Sequence, residues 1–374
     1  MKVGFDGSRA FVEKRTGTEN YSFQLLNALS KIDKKNQYIV YVRNTSTTPY
    51  LSSNFLFKEI RWPMLWTQAG LALQTFRDKL DVLFVPAHTL PIIKKPGLKT
   101  VVTVHDLGSE YLPSMHQFKQ RIYLSFMQRY QLNTATKIIA VSKATKDDLI
   151  RKIGINPKNV TVIYEGYNKD IFRHISSKGR SSFGRNILRQ YDLKPGSYFL
   201  FVGTVQPRKN LERVIIASSY QLSAISLVIV GREGWLSDEI YKLPKKMGIE
   251  KKVKFLGYVP EKDLPALYSG AIALVSPSLF EGFGLPILEA QACGCPVVTS
   301  NLSSMPEVAG PPAGGGAILV NPYDVEDITR AMIRVKGKAE RERLIKRGFE
   351  NIKRFSWEKC ARETVKILED VSKQ

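Results

Sequence analysis

The chain has 374 residues, of which 43% are hydrophobic and 10% aromatic, and its formal net charge is +22. This composition is typical of a folded globular protein and excludes an intrinsically disordered one, while the length favours two domains. No stretch approaches the roughly 18 consecutive apolar residues that a membrane-spanning helix needs. The chain enters a strand directly, without the charged head and apolar core of a signal peptide, so we expect a cytoplasmic protein. Its three cysteines lack the number and spacing of a disulfide framework or a zinc site, which predicts reduced thiols.

The positive charge is concentrated in the first half of the sequence. Residues 1–190 contain 30 Lys and Arg against 13 Asp and Glu, whereas residues 191–374 contain 26 against 21. Such an excess predicts that the amino-terminal domain faces an anionic partner: a phospholipid surface, a phosphate-bearing acceptor or nucleic acid. A generally basic proteome is the alternative explanation.

Strand-like and helix-like stretches alternate along the chain, which is typical of parallel α/β architecture. In the first half, strand-like runs begin at Lys2, Tyr38, Asp81, Thr100, Lys137 and Val160. Helices are predicted between them, around residues 18–32, 65–79, 117–134 and 143–153.

A polar segment with several Ser, Arg and Gly residues, 173–195, interrupts this alternation and predicts an interdomain linker. After it, strand-like runs begin at Tyr198, Leu227, Val253, Ile272 and Val297. The last predicted element is an amphipathic helix over residues 357–371. The sequence therefore predicts an α/β fold of two doubly wound parallel sheets.

The stretch 278–296 carries two carboxylates around a predicted helix start. It lies between two buried strands, so its turn follows the carboxyl end of a strand, where parallel sheets bind ligands. Glu281 stands in a glycine-flanked turn and Glu289 lies about one turn into the helix, so both acids can face one ligand. Gly282 and Gly284 allow close approach of the backbone, and N–H groups at a helix start attract phosphate. The stretch predicts a site for a sugar attached to phosphate; an ordinary loop with a solvated Glu289 is the alternative.

Two adjacent cations, Arg208 and Lys209, follow another predicted strand and open a helix. Cations near the amino end of a helix oppose its dipole, and an anionic ligand would compensate them. Two such charges can clamp a diphosphate and offset the charge on a departing phosphate group. A solvated basic helix start is the alternative.

The first half offers His105, directly after a buried strand, where a histidine can donate a hydrogen bond or polarise a substrate group. A histidine bonded to neighbouring backbone is the alternative. His88 is a second candidate, and Gly17, in the turn after the first strand, allows close backbone approach or forms a plain loop. The chain lacks dinucleotide, Walker, Asp-x-Asp and His-Glu-x-x-His motifs, which argues against nicotinamide enzymes, P-loop ATPases and metal-dependent hydrolases.

With these residues in place, the whole chain resembles the retaining glycosyltransferases of family 4, which have the GT-B fold. Besides the stretch around Glu281 and Glu289, the likeness is carried by residues 101–107, 203–211, 230–235, 255–260 and 355–359. It implies two Rossmann-like domains facing across a cleft. Their expected bounds are 1–172 for an acceptor-binding domain, 173–195 for the linker, 196–355 for a donor-binding domain and 356–374 for a helix crossing back.

The resemblance also implies transfer of a sugar from a nucleotide-diphosphate donor, with the anomeric configuration kept and neither metal nor cofactor required. By position, Arg208 and Lys209 would hold the diphosphate. Glu281 would hold hydroxyls of the donor sugar, Glu289 the nucleotide ribose, and His105 would contact the donor sugar at the reaction centre. The remaining donor contacts implied by position are at Gly17, Gly282, Phe283, Gly284 and Leu285.

The donor favoured by the resemblance is GDP-mannose, with a UDP-sugar as the alternative, and the acceptor is a glycan or lipid-linked sugar of cell-envelope polysaccharide synthesis. A GT-B epimerase or phosphorylase and a basic nucleic-acid-binding protein are less favoured, so no nucleic-acid partner is expected. The basic first half predicts peripheral attachment to the inner face of the cell membrane. Trp62, Met64, Leu65 and Trp66 could add an amphipathic contact there, although a buried helix is favoured for them.

Overall fold

The computed structural model describes residues 1–12, 15, 17–44, 49–62, 64–87, 89–107, 129–174, 182–220, 225–311 and 315–374. The chain divides into two compact units. Unit 1 consists of Met1–Gly166 together with Ser356–Gln374, and unit 2 of Tyr167–Phe355. Within the described ranges, no helix combines the length and apolarity that a bilayer crossing needs.

Unit 1 is built on a parallel sheet whose seven described strands lie in the order β3-β2-β1-β4-β5-β6-β7. The strands are β1 (Lys2–Asp6), β2 (Gln37–Val42), β3 (Phe55–Glu59), β4 (Val82–Val85), β5 (Lys99–Val104), β6 (Lys137–Ala140) and β7 (Val160–Val162). In the middle of the sheet, Val3 lies opposite Tyr38 on one side and Val82 on the other. The residues of β4 are all buried, as expected for a central parallel strand covered on both faces.

In unit 1, one of the described helices follows directly from a π-helical turn and another runs directly into one. The helices are α1 (Gly17–Ile32), a π-helical turn (Trp66–Leu71) leading into α2 (Ala72–Arg77), α3 (Lys143–Asp148) leading into a second π-helical turn (Leu149–Ile153), and the final helix of the chain, Trp357–Ser372. The expectation of a buried helix around residues 62–66 is correct for Trp66 and wrong for the exposed Trp62, Met64 and Leu65. Most of the helix predicted over 117–134 lies outside the described residues; 129–133 are helical.

Unit 2 is built on a second parallel sheet, with six described strands in the order β10-β9-β8-β11-β12-β13. They are β8 (Tyr198–Val202), β9 (Ser226–Val230), β10 (Val253–Gly257), β11 (Leu274–Ser276), β12 (Val297–Ser300) and β13 (Ala317–Val320). Its helices are α4 (Ser182–Gln190), α5 (Leu211–Ser219), α6 (Asp238–Lys246), α7 (Leu264–Gly270), α8 (Leu285–Ala292), α9 (Met305–Ala309), α10 (Val325–Arg334) and α11 (Lys338–Ile352). Helix α4 lies inside the segment predicted as a linker.

The final helix, α12 (Trp357–Ser372), completes the core of unit 1. Its apolar side is buried, and the Trp357 ring meets the edge of Tyr21 in α1 at a centroid distance of 5.7 Å. Asn36 Nδ2 donates to the carboxylate of Glu369 at 3.3 Å. Unit 1 is therefore assembled from two separate stretches of the sequence.

These boundaries change the interpretation of the charge. Unit 1 contains 28 Lys and Arg against 16 Asp and Glu, and unit 2 contains 28 against 18. The charge excess counted over residues 1–190 therefore does not belong to one folded unit, because the basic segment 167–190 belongs to unit 2. Both units are strongly basic.

Candidate functional site

In unit 2, the turn after β8 is tied to the turns that follow β11 and β13. After β8 the chain forms a single 3-10 turn, Pro207–Lys209, and Asn210 then takes a left-handed conformation with φ of 62°. Asn210 Nδ2 donates to the carbonyl oxygens of Pro277 at 3.0 Å and Pro322 at 2.7 Å. Because asparagine tolerates this conformation and carries a donor, it fixes the turn that presents the two cations.

Arg208, Lys209 and Glu281 form one ion-paired cluster at the carboxyl edge of the sheet. Arg208 Nη1 donates to Glu281 Oε2 at 2.8 Å and to the carbonyl oxygen of Phe280 at 2.9 Å. Lys209 Nζ pairs with Glu281 Oε1, which also accepts from Ser278 Oγ at 2.9 Å. The side chains are largely buried, so the charges act through a medium that screens them less than water.

The cluster keeps Glu281 ionised. Burial by itself would raise the pKa of this carboxyl, but Lys209 and Arg208 together outweigh it and lower the pKa to about 2. At neutral pH the site therefore holds two cations and one anion, with a net charge of about +1. This surplus suits an anionic ligand.

Two serine hydroxyls donate hydrogen bonds to the backbone carbonyl oxygens of the turn that contains Glu281. Ser303 Oγ lies 2.6 Å from the carbonyl oxygen of Glu281, and Ser304 Oγ lies 2.9 Å from the carbonyl oxygens of Glu281 and Phe283. Gly284 then caps α8 with φ of 105°, a conformation that favours glycine. The turn thus begins α8 at the edge of the sheet that carries the ion-paired cluster.

Glu289 lies on α8 and has an unusual protonation equilibrium. Burial, with a further contribution from the charge of Glu261, raises the pKa of the Glu289 carboxyl to about 7. The hydrogen bond that Tyr268 Oη donates to Glu289 Oε2 at 2.8 Å acts in the opposite direction but does not cancel this shift. At neutral pH the carboxyl is therefore about half protonated. An ionised Glu289 would accept hydrogen bonds from two neighbouring hydroxyls of a ligand.

The turns after β8 and β9 lie so close together that the residues in contact, Gly203 and Gly231, leave no room for a side chain at position 231. A Cβ on Gly231, whose φ is 151°, would lie 1.8 Å from the carbonyl oxygen of Gly203. After β9, Arg232 stacks over Tyr258 at 4.9 Å, and its buried Nη2 has no hydrogen-bond partner among the described residues. A buried donor of this kind is an atom that a ligand could satisfy.

In unit 1, His105 follows β5 and is buried. Its Nε2 lies 3.0 Å from the carbonyl oxygen of Pro86 and its Nδ1 3.4 Å from Glu165 Oε1. Burial lowers the pKa of His105, but Glu165, the Pro86 carbonyl and Asp106 together more than reverse this, so the pKa lies above its usual value. The ring thus has acceptors on both nitrogens, as an imidazolium requires. His88 lies outside the described residues.

Unit 1 also holds a cavity of about 380 Å³ at the carboxyl edge of its sheet. Its lining includes Asp6 at the end of β1, Arg43 after β2, and Glu19 in the first turn of α1, which pairs with Arg9. Burial raises the pKa of Asp6. Gly17 is the exposed first residue of α1, and a Cβ there would meet no described atom within 4 Å beyond its chain neighbours. The cavity offers carboxylates and guanidinium groups to a polar ligand.

The structure thus brings Arg208, Lys209 and Glu281 into direct contact, and places residues 282–285 and Glu289 immediately after them in unit 2. His105 and Gly17 belong to unit 1. The sequence interpretation missed several residues that position this cluster: Asn210, Tyr268, Ser278, Ser303 and Ser304. Among the residues that the structure describes, no group of three or more His, Cys, Asp or Glu is arranged to hold a metal ion.

Comparison with known proteins agrees with this architecture. Residues 185–351 match the family model described as glycosyl transferases group 1, and residues 15–171 match that of glycosyltransferase family 4. O-antigen chain mannosyltransferase B of Escherichia coli is 32% identical over 274 residues, covering 71% of this chain and 69% of that protein. O-antigen chain mannosyltransferase RfbU of Salmonella typhimurium is 28% identical over 324 residues, covering 83% and 84%.

The fold has a solved counterpart. Sucrose-phosphate synthase from Thermosynechococcus elongatus superposes with a TM-score of 0.80 over 99% of this chain and 98% of that chain, at 20% identity. The two parallel sheets of seven and six strands confirm the predicted doubly wound α/β architecture. Together with the sequence matches, they show that the chain belongs to glycosyltransferase family 4 and has the GT-B fold.

Proposed function

We propose that this glycosyltransferase moves mannose from GDP-mannose to a glycan or lipid-linked acceptor in the synthesis of a cell-envelope polysaccharide, keeping the anomeric configuration and requiring no metal. The mannose assignment is supported by the two O-antigen mannosyltransferases among its relatives. The observation that carries the donor site is the cluster of Arg208, Lys209 and an ionised Glu281.

In this proposal the two cations receive the donor's diphosphate. Glu281 fixes both of them, so Arg208 Nη1 and Lys209 Nζ are already oriented when the donor arrives. Their surplus charge stabilises the negative charge that develops as the bond between the sugar C1 and the diphosphate oxygen breaks. The Glu281 carboxylate also accepts hydrogen bonds from hydroxyls of the donor sugar. Glu289, when ionised, accepts hydrogen bonds from the ribose hydroxyls.

The transfer step balances without an added base. The acceptor hydroxyl oxygen attacks C1 on the face that the diphosphate leaves, and its proton passes to the departing phosphate oxygen. The products are the elongated glycan and a nucleoside diphosphate. The acceptor binds in the polar cavity of unit 1 lined by Asp6, Arg9 and Arg43.

A screen of nucleotide sugars tests the donor. GDP-mannose should raise Tm and be hydrolysed slowly without acceptor, and proton NMR of the transferred product should show the donor's anomeric configuration. A preference for UDP-glucose or UDP-N-acetylglucosamine would overturn the mannose assignment alone. Failure to bind any nucleotide sugar would overturn the donor site.

Charge-removing variants test the roles of the cations. Lys209→Gln and Arg208→Gln should each lower the transfer rate by a factor of about 10² or more, because donors aimed at developing charge have effects of that size. Lys242→Gln removes an exposed lysine from the same unit and should leave the rate unchanged. Turnover in EDTA should equal turnover with added magnesium; an EDTA-sensitive rate would contradict the metal-free mechanism.

A further inference from the structure

Unit 2 contains a cavity of about 190 Å³ that is separate from the ion-paired cluster. Residues of α4, α7 and α11 and the turn after α8 line it, and three of its lining residues, Pro195, Gly270 and Gly294, stand shortly before β8, β11 and β12. These three strands are neighbours in the sheet, so the cavity lies at their amino ends. The ion-paired cluster follows the carboxyl ends of β8 and β11. The cavity therefore lies at the opposite edge of the sheet from the proposed donor site.

The charged part of the cavity lining is basic. His174, Arg185 and Arg341 line the cavity, and the described residues around it include no Asp or Glu. The acid next to Arg341 in the sequence, Glu340, pairs instead with two other arginines at 2.7 Å each. A cavity with three basic side chains and no acid in its lining favours an anionic occupant.

Two of the three basic side chains are held in place by the protein. Arg341 Nη1 donates to the carbonyl oxygen of Ile272, and since a guanidinium has five N–H donors, a ligand can use others. His174 Nδ1 lies 3.4 Å from the carbonyl oxygen of Cys293. A Cβ on Gly294 would lie 2.6 Å from the same nitrogen, so the glycine makes room for the imidazole. Hydrogen-bond donors are therefore already positioned in the cavity.

Much of the remaining lining is apolar. Leu188 and Ala266 are buried, and Ile345 is half-buried. The volume of the cavity equals that of about six water molecules in the liquid, which is enough for a short alkyl chain with an anionic head. Ligand sites typically combine such an apolar wall with a few polar groups that fix the orientation of the ligand.

Hydrogen bonds join the wall of the cavity to Glu289. Ser269 and Cys293 both line the cavity, and Ser269 Oγ donates to the carbonyl oxygen of Cys293 at 3.1 Å. Tyr268, the neighbour of Ser269, donates to the Glu289 carboxyl at 2.8 Å, and the N–H of Cys293 donates to the carbonyl oxygen of Glu289 at 3.0 Å. A ligand that shifts this wall would therefore also shift the residues that hold Glu289.

We propose that this cavity is an effector site for a small phosphate monoester with a short apolar body, and that its occupation changes the affinity for the donor nucleotide. A phosphate monoester brings a charge of about −1.5 to −2 and three strong acceptor oxygens, which suit three basic side chains. Its apolar body packs against Leu188, Ala266 and Ile345. The effect on the nucleotide rests on the proposed function, because it acts through Glu289, whereas binding in the cavity does not.

Calorimetry of the full chain with monobutyl phosphate tests the site. Monobutyl phosphate should bind at least about tenfold more tightly than inorganic phosphate, because its butyl chain is buried against the apolar wall. It should also bind more tightly than pentanoate, which offers fewer acceptor oxygens and a smaller charge. Equal affinity for monobutyl phosphate and inorganic phosphate would overturn the proposed ligand class.

Substitutions locate the bound monobutyl phosphate. Arg185→Gln should weaken binding about tenfold or more, whereas Arg189→Gln, an exposed position one turn further along α4, should leave it unchanged. Lys209→Gln should also leave binding unchanged, because it alters only the proposed donor site. Binding that Lys209→Gln weakens and Arg185→Gln does not would overturn the effector site.

A second substitution tests the apolar wall with little risk to folding. Ile345 is half-buried on α11, and glutamate is a good helix former. Ile345→Glu places a carboxylate beside the bound phosphate and should abolish binding of monobutyl phosphate. Ile333→Glu introduces the same charge at an exposed position on α10 and should bind like the parent. Unchanged binding by Ile345→Glu with an unchanged Tm would overturn the site.

The effect on the donor nucleotide is measured separately. Saturating monobutyl phosphate should change the Kd of GDP at least about fivefold, and the same concentration should have a smaller effect in Arg185→Gln. An unchanged Kd would overturn the effector role. If neither GDP nor UDP binds, the donor assignment fails instead, and binding of monobutyl phosphate alone decides whether the cavity is a ligand site.

Discussion

Replacing Glu281 by glutamine removes the anion between two buried cations while nearly keeping the side-chain shape. The structure sets the size of the effect. The pKa of Glu281 is lowered from 4.5 to about 2, and a tenfold change in proton affinity corresponds to about 1.4 kcal/mol. The ionised carboxylate is thus stabilised by about 3 kcal/mol relative to a neutral group, a value within the usual range for breaking a buried ion pair. For a unit of this size, Tm should fall by about 6–12 °C at pH 7.

The pH dependence of the Tm difference provides a second test. Because the folded pKa lies below the unfolded one, the stabilisation is fully present above pH 4.5 and is lost as the pH falls toward 2. Thermal unfolding of the parent and Glu281→Gln, followed by circular dichroism from pH 7 to pH 3, should therefore show a Tm difference that shrinks on acidification.

Glu239→Gln is the matched control. Its carboxylate also accepts from two lysines, Lys242 at 3.2 Å and Lys246 at 2.5 Å, but it is 61% exposed. Since water and salt screen such pairs, Tm should not change measurably. An equal fall in Tm for both variants, or a Glu281→Gln difference that is constant between pH 7 and pH 3, would refute the argument.

Three further outcomes follow from the site and its support. Because the pKa of Glu289 is raised to about 7, nucleotide Kd should fall about tenfold from pH 6 to pH 8 by calorimetry, and Glu289→Gln should abolish this dependence. Gly231→Ala should sharply reduce soluble yield, because its Cβ would overlap the Gly203 carbonyl, whereas Gly248→Ala, with open space around it, should lower Tm by only a few degrees. Because the pKa of His105 is raised in the folded protein, protonation of His105 stabilises the fold below pH 6.5, and this stabilisation is lost as the pH rises through the folded-state pKa. The Tm of the parent should therefore decline relative to that of His105→Gln between pH 6 and pH 8. Parallel Tm curves for the two proteins would contradict this expectation.

Most of the two sheets could be predicted from alternating strand and helix patterns, and the strands that were missed share a position. Both β3 and β13 lie at a sheet edge. In β3 only Phe55 is buried, and β13 alternates between half-buried and buried residues after a glycine-rich stretch. Edge strands bury less apolar surface than central ones, so the signal that identifies a strand is weaker there.

The chemical groups of the site could also be found from sequence, but not their mutual contacts. Arg208 and Lys209 follow β8, Glu281 follows β11, and these strands are neighbours only because the chain crosses over between them. Strand order is a tertiary property that residue patterns do not contain. For the same reason the hydroxyls of Ser303 and Ser304, more than twenty residues beyond Glu281, could not be assigned to its turn in advance.

The division of unit 1 into two stretches fixes the order in which the chain can complete its folding during synthesis. Unit 2 is one uninterrupted segment, Tyr167–Phe355, so all of its strands have left the ribosome while the last helix of unit 1 is still unmade. Until residues 356–374 emerge, the side of α1 that carries Tyr21 lacks the cover of Trp357. The unit translated first is therefore the last to close its core, and its nascent form is the one exposed to aggregation and to chaperones.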